Sequence, residues 1–308
     1  MSSSHTSRNG QWYPPEWPER IRALAAGELT PVTPRTAATV MLLRDPEHEA
    51  DAAAGPGGSA EAAGPKGPVV HMLRRRASMA FAGGAYAYPG GSVDPRDARP
   101  LASAGPTGAQ WAERLGTDPD TARAVVCAAV RETFEESGVL LAGPDASTVV
   151  ADVTGADWEA DRAALVAREL SFADFLERRG LVLRDDLLGA WARWITPEFE
   201  ERRYDTFFFV AVLPRGQRTR NASTEADRTV WVHPRDAAEG YDKGELLMMP
   251  PTIATLRRLA QYPTAEAALA AAPGEDLTPV LARARLEGDA LVLSWPGHDE
   301  FTKRIERS

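Results

Sequence analysis

One nine-residue segment constrains this chain more than any other feature of its sequence. It runs from Arg131 to Val139 and reads Arg-Glu-Thr-Phe-Glu-Glu-Ser-Gly-Val. In a helix, positions three and four residues apart share a face, so Glu132, Glu135 and Glu136 project together. Three clustered carboxylates repel one another. Arg131 can neutralise part of this charge, and a hard cation such as Mg²⁺ or Mn²⁺ suits the remaining oxygen ligands.

The sequence around this segment predicts a helix over residues 121–138. Asp118 can cap its amino end, Pro119 suits the first turn, and Gly138 can end it. The face opposite the glutamates is apolar and is expected to pack into a core; it carries Val126, Val130 and Phe134. The predicted helix would therefore hold its acidic face at the edge of that core.

This segment resembles the Nudix family, whose box reads Gly-x5-Glu-x7-Arg-Glu-U-x-Glu-Glu-x-Gly-U, with U a bulky aliphatic residue. The second half of the box is matched at Arg131, Glu132, Glu135, Glu136, Gly138 and Val139. A chance match to five fixed residues is of order 10⁻⁴ for a chain this long. A solvated acidic helix face, which is what most charge runs are, explains the glutamates but not the residues around them.

The first half of the box is matched more loosely. Tyr88-Pro89-Gly90-Gly91 looks like the strand and Gly-Gly that open the family's box, and Asp97 stands where a glutamate is usual. Arg131 follows Gly91 by 40 positions, where the family box spans about 14. Thr133 replaces the usual aliphatic residue. By this resemblance Gly91 offers a backbone carbonyl to the metal, whereas the pair of glycines alone would indicate a plain turn.

A box interrupted by an insertion resembles the Nudix branch that includes the animal peroxisomal coenzyme A diphosphatase. The resemblance covers about residues 36–262. Further segments that carry it are Trp194-Ile195-Thr196-Pro197, Arg203-Tyr204-Asp205-Thr206-Phe207-Phe208, Glu225 with Trp231 and Pro234, and Pro250-Pro251-Thr252. The expected fold is therefore α+β, a Nudix-like α/β/α sandwich with a mixed sheet, an inserted helical segment and a C-terminal hairpin.

The extent of the resemblance divides the chain into three expected parts. Residues 1–35 are an N-terminal arm, 36–262 the Nudix domain and 263–308 a C-terminal extension. Within the domain, residues 45–68 are Ala/Gly/Pro/Glu-rich with few bulky apolar side chains, so a disordered loop is expected there. Residues 95–118 are the insertion in the box.

The resemblance implies a metal-dependent hydrolase that cuts a diphosphate bond in a nucleoside-diphosphate-linked substrate. Glu132, Glu135, Glu136 and Gly91 would hold the metal, which lowers the pKa of the attacking water. The general base would be a helix glutamate or Glu225, with Asp227 as a second loop candidate. Arg131 would orient a helix glutamate.

Coenzyme A or acyl-coenzyme A is the expected substrate because of the branch. Another Nudix branch of coenzyme A hydrolases carries a histidine and a glutamate just before the Gly-Gly, and residues 74–84 contain neither. Arg74 and Arg76 could bind phosphates bidentately or be solvated surface. Arg203 fits a surface ion pair as well as a substrate contact.

Composition also limits the class of protein. The net charge of −9 argues against a general nucleic-acid binder, which needs basic surface. Cys127 is the only cysteine, which fits a cytoplasmic protein, and no apolar run reaches membrane-spanning length. A homodimer is left open. The alternative function is a non-catalytic Nudix module that senses a nucleotide; such a module would usually lack one of the metal glutamates, and all three are present.

Overall fold

The computed structural model of the chain describes residues 13–46, 67–79 and 82–305. Nearly all of the predicted disordered loop, 45–68, lies outside the described residues, as does the beginning of the N-terminal arm. Disorder in that loop therefore stays a prediction from composition.

Helices and strands alternate irregularly along the described chain. Its α-helices are α1 (Trp17–Ala25), α2 (Gly108–Leu115), α3 (Pro119–Ser137), α4 (Ala156–Val166), α5 (Phe172–Arg178), α6 (Pro234–Lys243), α7 (Pro250–Leu259) and α8 (Ala265–Ala271). Its strands are β1 (Arg35–Arg44), β2 (Val69–Arg75), β3 (Tyr86–Ala87), β4 (Gly90–Ser92), β5 (Ala142–Gly143), β6 (Val182–Leu183), β7 (Gly189–Ile195), β8 (Tyr204–Val212), β9 (Ala226–Val232), β10 (Val280–Leu281), β11 (Arg283–Glu287), β12 (Ala290–Trp295) and β13 (His298–Arg304). Among the described helices, none has the length and apolar character needed to span a bilayer.

An eight-stranded mixed sheet forms the centre of the molecule. Its order is β10-β7-β8-β1-β2-β3, with β4 also beside β1 and β9 beside β2. The β1–β8 and β10–β7 pairs are parallel, whereas the pairs β1–β2, β1–β4, β7–β8, β2–β3 and β2–β9 are antiparallel.

Apolar side chains from alternate positions of β1 enter two different cores, as strand geometry requires. Ala38, Val40 and Leu42 pack with α2, α3 and α5 on one face. Met41 and Leu43 pack with α1, α6, α7 and α8 on the other. The result is a helix–sheet–helix sandwich, which confirms the fold class expected from the sequence.

Helix α3 begins and ends where its sequence predicts. The Asp118 carboxylate accepts hydrogen bonds from the backbone N–H groups of Asp120 and Thr121, both at 3.0 Å. Gly138 adopts a left-handed conformation with φ of +71°, and its N–H donates to the Phe134 carbonyl. The predicted core face of α3 is buried. These caps fix the helix that carries the three glutamates.

Three parts of the chain can be compared with what was expected of them. The expected N-terminal arm contains helix α1, which begins at Trp17. The insertion at 95–118 contains the expected helical segment, a 3-10 helix at Pro95–Ala98 followed by helix α2, whose Trp111 is buried. At the C-terminal end the predicted hairpin is present as β11 and β12, but β13 adds a third strand and β10 extends the main sheet.

His71 in β2 is a buried titratable group away from the acidic helix. Its side chain is 0% exposed and its ring lies 5.2 Å from that of Trp231. Neither ring nitrogen has a hydrogen-bond partner in the described part of the chain. Burial, with a smaller contribution from the charge of Arg44, lowers the pKa of His71 to about 4.

His71 is expected to make the fold acid-sensitive. An unfolded histidine takes up its proton near pH 6.5, whereas folded His71 does so only at about 4. The free energy of unfolding should therefore fall as pH drops between these values, by up to ~1.4 kcal/mol per pH unit from this residue. His71→Phe should remove this slope. Denaturant unfolding of both proteins across that range measures the difference, and a pH-independent difference would contradict the prediction.

Candidate active site

The carboxyl half of α3 packs directly against the glycines of β4. The Glu136 carboxylate accepts hydrogen bonds from the Gly90 N–H at 2.8 Å and from the Ser223 hydroxyl at 3.3 Å. The Glu132 carboxylate lies so close to Gly91 that an added Cβ there would stand 2.5 Å from its Oε1. An added side chain at this position would displace the Glu132 carboxylate, so glycine allows this carboxylate to approach the strand closely.

Arg131 connects the acidic helix to the start of the insertion. Its Nη1 donates to Glu132 Oε1 at 2.8 Å and to Glu135 Oε1 at 3.1 Å. Its Nε and Nη2 donate to the two carboxylate oxygens of Asp97, each at 2.9 Å, and Nη2 also donates to the Ser92 carbonyl. One buried guanidinium thus fixes two of the three glutamates and Asp97.

The three helix glutamates lie close together, and nearby positive charge balances their negative charge only in part. Burial raises the pKa of Glu136 to about 8, and repulsion from Glu132 adds to this effect. Burial also raises the pKa of Glu132 to about 7, although the Arg131 guanidinium opposes the rise. The pKa of Glu135 is raised for the same reason. The cluster would therefore gain stability from an additional positive charge.

These residues have the chemistry of a site for a hard divalent cation. Carboxylate and backbone carbonyl oxygens are the ligands that Mg²⁺ and Mn²⁺ prefer. Within the described ranges, no three His, Cys, Asp or Glu side chains already form a metal-holding group. Arg131 and the Gly90 N–H donate hydrogen bonds to oxygens of all three glutamates. A cation at this point would replace some of these hydrogen bonds. Glu132, Glu135, Glu136 and the Gly91 carbonyl remain the candidate ligands.

The loop before β9 brings Glu225 to the same region. The Glu225 side chain is 58% exposed, and its Oε2 lies 3.6 Å from Arg75 Nη2. Buried Arg162 fixes the loop, because its Nη1 donates to the carbonyl of Glu135 at 2.7 Å and to that of Ala222 at 3.2 Å. The end of α3 and the loop that carries Glu225 are therefore tied together.

Two of the predicted substrate arginines bind the loop around Glu225 and the start of β9 instead of lining this region. Arg74 donates to the carboxylate of Asp227 at 2.7 Å, and Arg76 donates to the Thr224 carbonyl at 2.6 Å. Neither side chain lines the cavity that lies beside the three glutamates. Arg75 does line it. Successive residues of a strand point to opposite faces, so alternation in β2 could have indicated Arg75 from the sequence.

Arg203, the third predicted substrate residue, is used by the fold. It is buried, and its guanidinium donates to the carbonyls of Thr196 at 3.1 Å and Val32 at 2.7 Å. It does not line the cavity. Neighbouring Asp205 forms a bidentate ion pair with Arg193. Neither expectation for Arg203, a surface ion pair or a substrate contact, has support from these contacts.

A cavity of about 570 Å³ joins these groups. Its wall nearest α3 includes Gly91, Asp97, Arg131, Glu132, Glu135, Glu136, Arg75 and Glu225. Three further arginines that the sequence analysis did not single out, Arg96, Arg168 and Arg202, also line the cavity. A carboxylate cluster and several cationic side chains in one enclosed space can bind a metal together with a phosphorylated molecule.

Comparison with known proteins agrees with this arrangement. The family model of the NUDT19 Nudix domain matches residues 110–259, a range that contains α3 and the loop with Glu225 and begins after Gly91. Over these residues, which make up just under half of its length, the chain is similar to the NUDT19 Nudix domain. The resemblance drawn from the box is thereby confirmed.

The Nudix relatives include acyl-coenzyme A diphosphatases. The chain is 28% identical over 241 residues to the acyl-coenzyme A diphosphatase NUDT19 of Gallus gallus, covering 64% of this chain and 63% of that protein. To the protein of the same name from Xenopus laevis it is 24% identical over 279 residues, covering 75% and 71%. The crystal structure of a Nudix hydrolase from Alicyclobacillus acidocaldarius matches with a TM-score of 0.60 at 28% identity, covering 78% of this chain and 96% of that one. The chain thus spans less than two thirds of the Gallus gallus protein.

Asp97 keeps an ionic role in this interrupted Nudix box. It stands where the box usually has a glutamate, and its carboxylate is 2% exposed and bound to Arg131 through both oxygens. It also accepts a hydrogen bond from the Asp94 N–H, and this bond caps the start of the short helix at Pro95–Ala98. The insertion therefore does not separate Asp97 from α3.

Replacing Asp97 by Asn should destabilise the fold strongly. The change would leave the buried Arg131 guanidinium without its bidentate partner, which costs roughly 3–5 kcal/mol. Asp97→Glu keeps the charge and should cost less. The matched control is Asp120→Asn, which removes an exposed ion pair with Arg123 on the same helix and should cost at most about 1 kcal/mol. Denaturant unfolding measures the free energy of unfolding of each variant. Equal losses of this free energy for Asp97→Asn and Asp120→Asn would contradict the prediction.

Proposed function

We propose that this Nudix protein hydrolyses a diphosphate bond in a nucleoside-diphosphate-linked small molecule and requires Mg²⁺ or Mn²⁺. The observation that carries the proposal is the convergence of Glu132, Glu135 and Glu136 around Arg131 and against Gly91, inside one cavity. A divalent cation bound there would neutralise the diphosphate and lower the pKa of the attacking water.

The residues of α3 have distinct roles in this proposal. Glu132, Glu135 and Glu136 bind the cation and set its position. Arg131 orients Glu132 and Glu135, and Asp97 holds Arg131 in turn. Such supporting contacts fix ligand geometry and tune affinity. Because burial raises the pKa of Glu132 and Glu136 to about 7 and about 8, cation binding should release protons near neutral pH.

Two groups can accept the proton of the attacking water. Glu225 lines the cavity with a largely exposed carboxylate, on a loop tied to the end of α3 through Arg162. A helix glutamate that is not fully engaged with the cation is the other candidate. Arg75, beside Glu225, is positioned to contact a phosphate oxygen of the substrate.

Coenzyme A or an acyl-coenzyme A is the substrate that we propose, with a phosphopantetheine and an adenosine bisphosphate as products. The names of the relatives from Gallus gallus and Xenopus laevis support it. Action on a small molecule rather than a nucleic acid fits the net charge of −9. A cytoplasmic location and a homodimer stay predictions from the sequence.

Removing one ligand charge should abolish turnover without unfolding the protein. Glu136→Gln keeps the shape of the side chain but removes its charge, so turnover should fall by roughly two orders of magnitude or more. Metal affinity, measured by calorimetric titration, should fall with it. EDTA should stop the wild-type reaction, and Mg²⁺ or Mn²⁺ should restore it.

Two further variants make this result interpretable. Glu113→Gln on α2 changes an exposed glutamate outside the cavity and should behave as wild type. Glu225→Gln should lower turnover with little change in metal affinity if Glu225 is the base; full activity of this variant would assign that role to the helix. Turnover that persists in metal-free buffer would exclude the mechanism, and metal binding without any product would favour the nucleotide-sensing module.

The substrate should be a bulky adenosine diphosphate derivative. We expect kcat/KM for coenzyme A and its thioesters to exceed that for dGTP, because cavity contacts remote from the cleaved bond contribute to transition-state binding. One enzyme preparation should be compared on coenzyme A, acyl-coenzyme A, ADP-ribose, NADH and dGTP. A clear preference for dGTP would exclude the coenzyme A proposal while leaving the metal chemistry intact.

A further inference from the structure

The cavity continues away from α3 across one face of the sheet. Gly90 of β4 is paired with Thr39 of β1, which is paired with Phe208 of β8, and Thr206 of β8 is paired with Trp194 of β7. All five residues line the cavity. Neighbouring strands lie roughly 4.8 Å apart, and three such distances separate β4 from β7. The groove therefore extends roughly 14 Å from β4, beside which the glutamates lie.

The chemistry of the groove changes along this path. Charged groups surround its end at α3. Its far end is formed mainly by Trp17, Trp194, Phe208, Ala282 and Leu293, with the Glu200 carboxylate held by the Trp17 indole. Each of the five apolar side chains is at most 7% exposed, so neighbouring elements hold it in place. A surface of this kind favours an apolar group of the substrate, because burying polar groups without hydrogen-bond partners is costly.

Residues outside the range matched by the family model close this far end. Trp17 belongs to α1, and Ala282 and Leu293 belong to the C-terminal strands and their connection. The Trp17 indole N–H donates to the Glu200 carboxylate at 2.7 Å, and its ring packs edge-on against Phe199 at 5.1 Å between centroids. The indole nitrogen is thus already used, and this side chain offers the substrate mainly an apolar surface.

We propose that Trp17, Ala282 and Leu293, here called the far wall, receive an acyl chain carried by the substrate and limit its length. This inference rests on the proposed function, because the diphosphate must lie at α3 for the chain to reach the far wall. An aliphatic chain fits the wall better than a second nucleobase, which would bring ring nitrogens and amino groups that need partners. Ala282 is the smallest side chain of the three and therefore determines how much space remains.

The test is a chain-length series of acyl-coenzyme A thioesters: acetyl, butanoyl, octanoyl and palmitoyl. In the wild type, kcat/KM should rise by up to roughly fourfold per methylene that becomes buried, until the chain reaches the far wall. Ala282→Phe fills the space in front of the wall and should lower the octanoyl-to-acetyl ratio of kcat/KM at least tenfold. Leu293→Ala opens the wall and should move the optimum to a longer chain. Because ratios are compared, a lower yield of folded enzyme cannot imitate either shift.

The matched control is Ala290→Phe in β12, which does not line the cavity and should keep the wild-type ratio. Identical chain-length profiles in wild type, Ala282→Phe and Leu293→Ala would overturn the inference while leaving diphosphate hydrolysis intact. If the wild type hydrolyses no diphosphate, the proposed function is wrong. Calorimetric titration with octanoyl- and acetyl-coenzyme A then tests separately whether the far wall binds an acyl chain. A preference for octanoyl-coenzyme A that Ala282→Phe removes would support the far wall, and equal affinities would overturn it.

Discussion

The Arg131 guanidinium is the interaction on which the candidate site depends. It is the cation that contacts Glu132 and Glu135 directly, and it reaches Asp97 with two further hydrogen bonds. Burial by itself would lower the pKa of this group, but Asp97 and the glutamates raise it, so the guanidinium stays charged. Without it, Glu132 and Glu135 would lose the guanidinium that contacts them, and burial would raise the pKa of these carboxylates further.

Backbone geometry makes this arrangement possible. Gly91 allows the Glu132 carboxylate to approach β4, and the Gly90 N–H is a hydrogen-bond donor for Glu136. Because β4 is paired with β1, the glycines are fixed to the central sheet, and α3 is fixed to them. The carboxylates therefore occupy positions defined by the most rigid part of the fold, as a site that must place a cation and a diphosphate requires.

Features encoded by neighbouring residues could be predicted from the sequence, and features that depend on distant parts of the chain could not. The start and end of α3 and its acidic face follow from local capping and helical periodicity. Helix α6 was missed because its buried face consists mainly of small residues such as Ala237, Ala238 and Gly240. Strand β13 was missed because Phe301 is its one large apolar residue. The roles of Arg162 and Ser223 depend on tertiary contacts, as does the closure of the groove by Trp17 and Leu293. No local sequence pattern indicates such contacts.

The insertion that interrupts the box lowers the stability of the fold only slightly, because Asp97 and Arg131 remain in contact. The extra residues lie between Asp97 and Arg131, whose side chains remain joined by two hydrogen bonds of 2.9 Å. Lengthening a loop from about 14 to about 40 residues adds only about 1 kcal/mol of closure entropy. Breaking a buried ion pair costs roughly three times as much or more. The insertion is also ordered in part, since the buried Trp111 of α2 donates to Asp185 at 2.8 Å and packs in the core beside α3. An insertion anchored at both ends can therefore change the surroundings of the cavity without moving the carboxylates of α3.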